Sequence, residues 1–216
     1  MISLTPEQLL FMLRGFGWTI VLSLLAFAGG GVLGFVLALT RVYAARPLRT
    51  LAMLYIKLIQ GTPLLILLFL TYFGLPALGL IVEPLVAAAL GLSTYVSAYL
   101  AEIWRGSLEA VPRTQEEAAV CLALNWRQRL LHVVLPQAVK IATPPTVGFM
   151  VQIVKNTSLA SAIGFVELAR AGQMINNATF RPLIVFVLIA ALYFALCFPL
   201  SVWSRRLERR FDVAHR

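Results

Sequence analysis

Charge is scarce in this sequence: Asp, Glu, Lys and Arg together make 12% of 216 residues. Aspartate occurs once, as Asp212, and neither His132 nor His215 falls inside an apolar run. An enzyme working inside a membrane needs a nucleophile and a base, or paired carboxylates, at matching depth. That pairing is missing, so no catalytic residue is assigned. The histidines have no cysteine or carboxylate cluster around them, so no metal site is visible. Cys121 sits in a polar loop and Cys197 in an apolar run, which implies no disulfide. The lysines are Lys57, Lys140 and Lys155. None follows the Gly-x4-Gly pattern of a phosphate loop, so the chain cannot supply ATP hydrolysis alone. No basic patch is interleaved with aromatics on a polar face, which excludes nucleic acid as a partner despite a formal charge of +9.

What the sequence has instead is apolar length. Sixty per cent of it is hydrophobic and the mean hydropathy is +0.87. Soluble domains run about 45–50% apolar. The chain reads as a single all-α transmembrane domain over residues 1–216, with the lipid bilayer as its solvent. Five spans are expected, at about 16–39, 51–73, 84–104, 142–166 and 183–203, each near the ~20 residues that cross a bilayer. The first apolar run is too long for a signal-peptide core. Arg41, Arg46 and Arg49 follow the first expected span. Arg105, Arg113, Arg127, Arg129 and Lys140 follow the third, and Arg205, Arg206, Arg209, Arg210 and Arg216 the fifth. By the positive-inside rule the N-terminus is outside and the C-terminus cytoplasmic. Gly29, Gly30, Gly31 and Gly34 in the first span allow close helix packing, or a hinge.

The polar stretch of residues 105–140 carries two helix starts. Thr114 with Glu117 makes a capping box, and Asn125 with Gln128 a weaker one. Pro136 is expected to stop the second helix. Helices are therefore predicted at about 115–123 and 126–134. Val120, Leu122, Leu124 and Trp126 could fill a groove on a protein, and the first helix has little bulk with which to enter lipid.

Glu117-Ala118-Ala119, Ala123, Val133, Leu135 and Pro136 match the pattern EAA-x3-G-x9-I-x-L-P, with Ala123 for glycine and Val133 for isoleucine. The pattern resembles the signature of bacterial ABC importer membrane subunits. Residues 60–69 (QGTPLLILLF), 98–106 (AYLAEIWRG), 155–159 (KNTSL), 163–168 (IGFVEL) and 205–210 (RRLERR) resemble, in order, segments of the polar amino-acid uptake branch. The resemblance implies a permease in the bacterial inner membrane that pairs with a second, identical or paralogous permease. It further implies two ATP-binding cassette ATPases, which hold the ATP and Mg, and an external substrate-binding protein that delivers an amino acid. This chain would hold no cofactor. Glu117, Ala118 and Ala119 would face the ATPase from a coupling helix, with Ala123, Leu135 and Pro136 completing the motif. If the turn at 123 needs a positive φ, alanine tolerates it poorly.

Lys155 is an ionisable residue at membrane depth, a place where charge costs about 2.5–3.5 kcal/mol and usually faces a cavity or bundle interior. It would meet a substrate carboxylate, or else snorkel. Asn156, Thr157 and Ser158 add polar partners, and Thr62 and Pro63 fall on the same expected pathway. Glu167 is placed near the outer end of its span, meeting an amino group or water. Tyr95 and Tyr99 share a helix face and line the pathway or bond between helices. A channel or scaffold subunit, and an importer of another small zwitterion such as an opine or sulfur compound, are the competing readings.

Overall fold

The computed structural model describes residues 4–212, so His215 and Arg216 lie outside the described residues. Among them every regular element is helical, joined by short connections. It runs α1 (Pro6–Tyr43), α2 (Arg46–Gln60), α3 (Leu64–Phe69), α4 (Leu75–Ala77), α5 (Pro84–Glu109), α6 (Arg113–Cys121), α7 (Trp126–Arg129), α8 (Leu135–Asn156), α9 (Leu168–Thr179) and α10 (Pro182–Asp212). π-helical segments join α3 to α4 and α7 to α8, and a 3-10 segment, Thr157–Ile163, continues α8.

Three helices, α1, α5 and α10, are long and apolar enough to cross a membrane by themselves. The other two expected spans are bent pairs. Residues 46–60 and 64–77 meet at 102°, and residues 126–163 meet α9 at 52°. The span expected over 51–73 is thus a pair of helices broken at residues 61–63. Pro63 has no N–H to continue the ladder of α2 and instead stands as the N-cap of α3. The fourth apolar stretch is also longer than expected, because Pro136 does not stop a helix. The wide turn Leu130–Val134 lets the Leu135 N–H reach back to the Leu130 carbonyl. Pro136 then falls in the first turn of α8, where its missing donor costs little.

α1 starts at a capping box the sequence reading missed. Thr5 Oγ1 accepts from the Gln8 N–H, and Gln8 Oε1 accepts from the Thr5 N–H, with Pro6 following the cap. α1 lies along α5. A Cβ built at Gly30 would come 2.5 Å from the Val96 Cβ, and one at Gly34 would come 2.8 Å from the Ser97 carbonyl oxygen. Only glycine permits that approach, so the packing role expected of this glycine run holds at both positions. The main core forms beside it from Leu22, Leu68, Leu92, Val96, Leu100 and Ile153.

Candidate coupling loop and membrane-depth polar groups

The loop between α5 and α8 is built on a left-handed alanine. Ala123 has φ 56°. The Ala123 N–H bonds to the Val120 carbonyl (2.9 Å) and the Leu124 N–H to the Ala119 carbonyl (3.1 Å), the pairing that closes a helix through a left-handed residue. The glycine position of the motif thus needs the conformation alanine dislikes. A left-handed alanine costs about 1–2 kcal/mol, while glycine gives back about 0.4–1 kcal/mol in unfolded-chain entropy. Ala123→Gly should therefore stabilise the turn by about 0.5–1 kcal/mol. Amide exchange at Leu124 should slow about two- to five-fold; faster exchange would contradict this account.

The Asn125–Gln128 box forms with both bonds, at 3.0 and 2.9 Å. The Thr114–Glu117 box does not. α6 begins two residues early, at Arg113 behind Pro112, and Thr114 lies inside its first turn. Within α6, Glu117 and Ala118 are exposed, but Ala119 is only 3% exposed. An outward-facing Ala119 is therefore corrected, since α6 packs on the Leu130–Val134 segment and one helix face is spent there. Leu122, 75% exposed, with Val120 and Trp126, leaves an apolar rim beside Glu117 and Ala118, while Leu124 is half-buried. Trp126 meets Tyr43 edge to face at 6.0 Å. Leu135 is half-buried and Pro136 exposed at the start of α8. Above the loop, Arg105 bridges Glu102 (2.7 Å) and Glu109 (2.6 Å), and Arg41 of α1 lies 3.6 Å from Glu102.

The polar groups that the sequence placed at membrane depth divide between two faces. Lys155 is exposed and lines a groove between α8 and α10. Asn156, one residue on, points about 100° away. It faces Tyr95 and accepts from Gln152 Nε2 at 3.3 Å. Tyr95 and Tyr99 have ring centroids 4.5 Å apart, and Phe149 of α8 stacks on them at 6.4 and 5.4 Å. Phe149 and Gln152 were missed, although 149, 152 and 156 are spaced as one helix face. The hydrogen bond between helices is made nearby by Ser97, 2.8 Å from the Tyr55 hydroxyl. Thr157 and Ser158 turn inward on their own backbone, donating to the Val154 and Lys155 carbonyls at 2.8 and 2.7 Å. Thr62 donates to the Leu58 carbonyl at 2.8 Å, and it sits with Pro63 at the α2–α3 break.

Glu167 is at no water boundary: it is 0% exposed. Its carboxylate caps α9, accepting from the Ala169 and Arg170 N–H groups at 2.9 and 2.8 Å. It also accepts from the Tyr193 hydroxyl of α10 at 2.8 Å, and the Thr19 hydroxyl of α1 lies at 3.4 Å. The Leu168 N–H donates to Thr19 at 3.2 Å. One side chain ties three helices together.

An all-helical chain with three helices long and apolar enough to cross a membrane, and two further bent pairs, belongs to the class of helical integral membrane proteins. The model of the binding-protein-dependent transport system inner membrane component matches residues 30–213, and the chain belongs to that family. Among its relatives is the L-cystine transport system permease protein TcyB of Bacillus subtilis, 36% identical over 92% of this chain and 85% of the relative. The glutamine transport system permease protein GlnP of Escherichia coli K12 is 32% identical, covering 94% of this chain and 93% of the relative. A chain from the crystal structure of an amino acid ABC transporter with histidines superposes with a TM-score of 0.87 at 32% identity, covering 94% and 95% of the two chains. The MetNI methionine ABC transporter in an inward-facing conformation shares the fold, with a TM-score of 0.76 at 19% identity over 96% and 99%.

Proposed function

We propose that this chain is a permease subunit of an ATP-driven importer of polar amino acids in a bacterial inner membrane. The observation that carries the reading is near full-length likeness to glutamine and cystine permeases, together with the 0.87 superposition on an amino acid transporter. In this reading the polypeptide crosses the bilayer five times, with each bent pair acting as one span and the N-terminus outside. Two such subunits, identical or paralogous, enclose the path. Two ATPases holding ATP and Mg seat against Glu117 and Ala118, with the Leu122 rim beside them. An external binding protein brings the solute. The chain itself is not an enzyme.

Lys155 would meet the carboxylate that all amino acids carry, an interaction that also removes the cost of a bare charge at depth. Asn156, Tyr95 and Tyr99 would line the neighbouring face. The cystine relative keeps a second reading open, a sulfur-containing zwitterion as the solute. The test is ATP hydrolysis in proteoliposomes by the chain with its ATPase, binding protein and a panel of amino acids. Stimulation by one group of amino acids is expected, and none by any amino acid would reject that substrate class. Lys155→Met should lower uptake at least ten-fold while the complex still assembles. Uptake at the normal rate would remove Lys155 from the path.

A further inference from the structure

We propose that the groove between α8 and α10 is the cytoplasmic half of the solute path. Arg205 is then its second carboxylate-binding cation, the exit-side counterpart of Lys155. This rests on the reading of Lys155 above and extends it along the groove to Arg205.

The groove encloses about 390 Å³ and is lined by Lys155, Tyr193, Cys197, Phe198, Ser201 and Arg205, among others. The register of the two helices fixes its direction. Ser204 of α10 donates to the Pro144 carbonyl of α8 at 3.0 Å, and Cys197 packs against Val151 and Val154. The helices are thus antiparallel, and Lys155 lies level with Tyr193. From there to Arg205 is twelve residues, about 18 Å of helix rise. Lys155 marks the deep end, and Arg205 the end where the basic cluster Arg206, Arg209 and Arg210 begins.

Neither cation is paired with a carboxylate among the described residues: none lies within 4.0 Å of Lys155 or Arg205. Glu208, one turn beyond Arg205, is exposed and makes no such pair. Two like charges sharing one groove repel, so neither serves as the other's structural partner. Water and an anion are what such a groove accommodates. An anionic lipid headgroup would satisfy Arg205 at the rim, but it would leave Lys155 beside acyl chains about 18 Å deeper. A small carboxylate moving between the two ends serves both. Ser201 lies one turn from Arg205 on the same face, a neutral polar step between the cations.

The test uses the complex assembled with its ATPase in inverted membrane vesicles. Ser201→Cys is placed in a Cys121→Ser, Cys197→Ala chain. It is then labelled from the cytoplasmic side with a sulfonate-bearing or a trimethylammonium-bearing methanethiosulfonate. Relative to their rates with a free thiol, the sulfonate should react about five- to ten-fold faster. Adding Arg205→Gln should abolish that preference, and Arg205→Lys should keep it. Uptake by Arg205→Gln should be several-fold slower at an unchanged half-saturating concentration, which the external binding protein sets. Reaction with a membrane-permeant maleimide but with neither charged reagent would mean a lipid- or protein-filled groove and would overturn the proposal. So would an anion preference that Arg205→Gln leaves intact. Normal uptake by Lys155→Met overturns both readings together. Blocked uptake in that variant, with the thiol of Ser201→Cys silent to both charged reagents, overturns only this one.

Discussion

Glu167→Ala is expected to lower the stability of the solubilised protein by about 3–5 kcal/mol, with a matching fall in the temperature at which it leaves solution. The substitution strands two backbone N–H groups and the Tyr193 hydroxyl in a buried place. Each unsatisfied buried donor costs about 1–3 kcal/mol, and groups that share one acceptor do not add fully. Loss of a helix cap by itself accounts for about 0.5–2 kcal/mol of this. Glu167→Gln keeps one acceptor oxygen and should lose roughly half as much. The same pair of variants tests the alternative in which Glu167 meets a substrate amino group. A Glu167→Ala protein as heat-stable as the parent, yet unable to transport, would place this carboxylate on the path after all.

The second large effect belongs to α6. Ala118→Trp should abolish binding-protein stimulation of ATP hydrolysis, by ten-fold or more, and leave the melting temperature unchanged. Ala118 is exposed beside Glu117, so a bulky side chain there obstructs only a partner. Ala119→Trp should also uncouple, but by another cause. It forces an indole into a seat that is 3% exposed, and overpacking of that kind costs about 1–3 kcal/mol. Its signature is a lowered melting temperature and fast exchange across α6. Normal stimulation in Ala118→Trp would move the ATPase contact off this helix.

Much of the chain was legible because its signals are local. Apolar length marked α1, α5 and α10. Asn125 and Gln128 announced a cap, and the motif's missing glycine pointed to the strained turn at Ala123. What escaped depends on direction or on partners. Hydropathy averaged along residues 51–73 is blind to a 102° turn, even with Pro63 in view. Pro136 reads as a stop, but a π turn just before it lets the helix pass. Thr114 has the right residue three places on, yet Pro112 starts the helix first. Glutamate is an uncommon N-cap, so nothing within IGFVEL distinguishes Glu167 as one. Its other partners, Thr19 and Tyr193, are 148 and 26 residues away in sequence. The division of Lys155 from Asn156 was readable in principle, since neighbours on a helix diverge by about 100°. It becomes meaningful only once α5 and α10 are known to flank α8.

The run from Trp126 to Ile163 has a mechanical consequence. Pro144 and Pro145 interrupt its ladder of donors, and Ser204 pins the Pro144 carbonyl to α10. Moving as one stiff body about that contact, the run would act as a lever. Its lower arm, residues 126–143, is about 27 Å long, and the arm up to Lys155 about 17 Å. A sideways displacement of about 3 Å imposed at the lower end would carry Lys155 roughly 2 Å in the opposite direction. The work done below would arrive above reversed in sense and reduced in stroke.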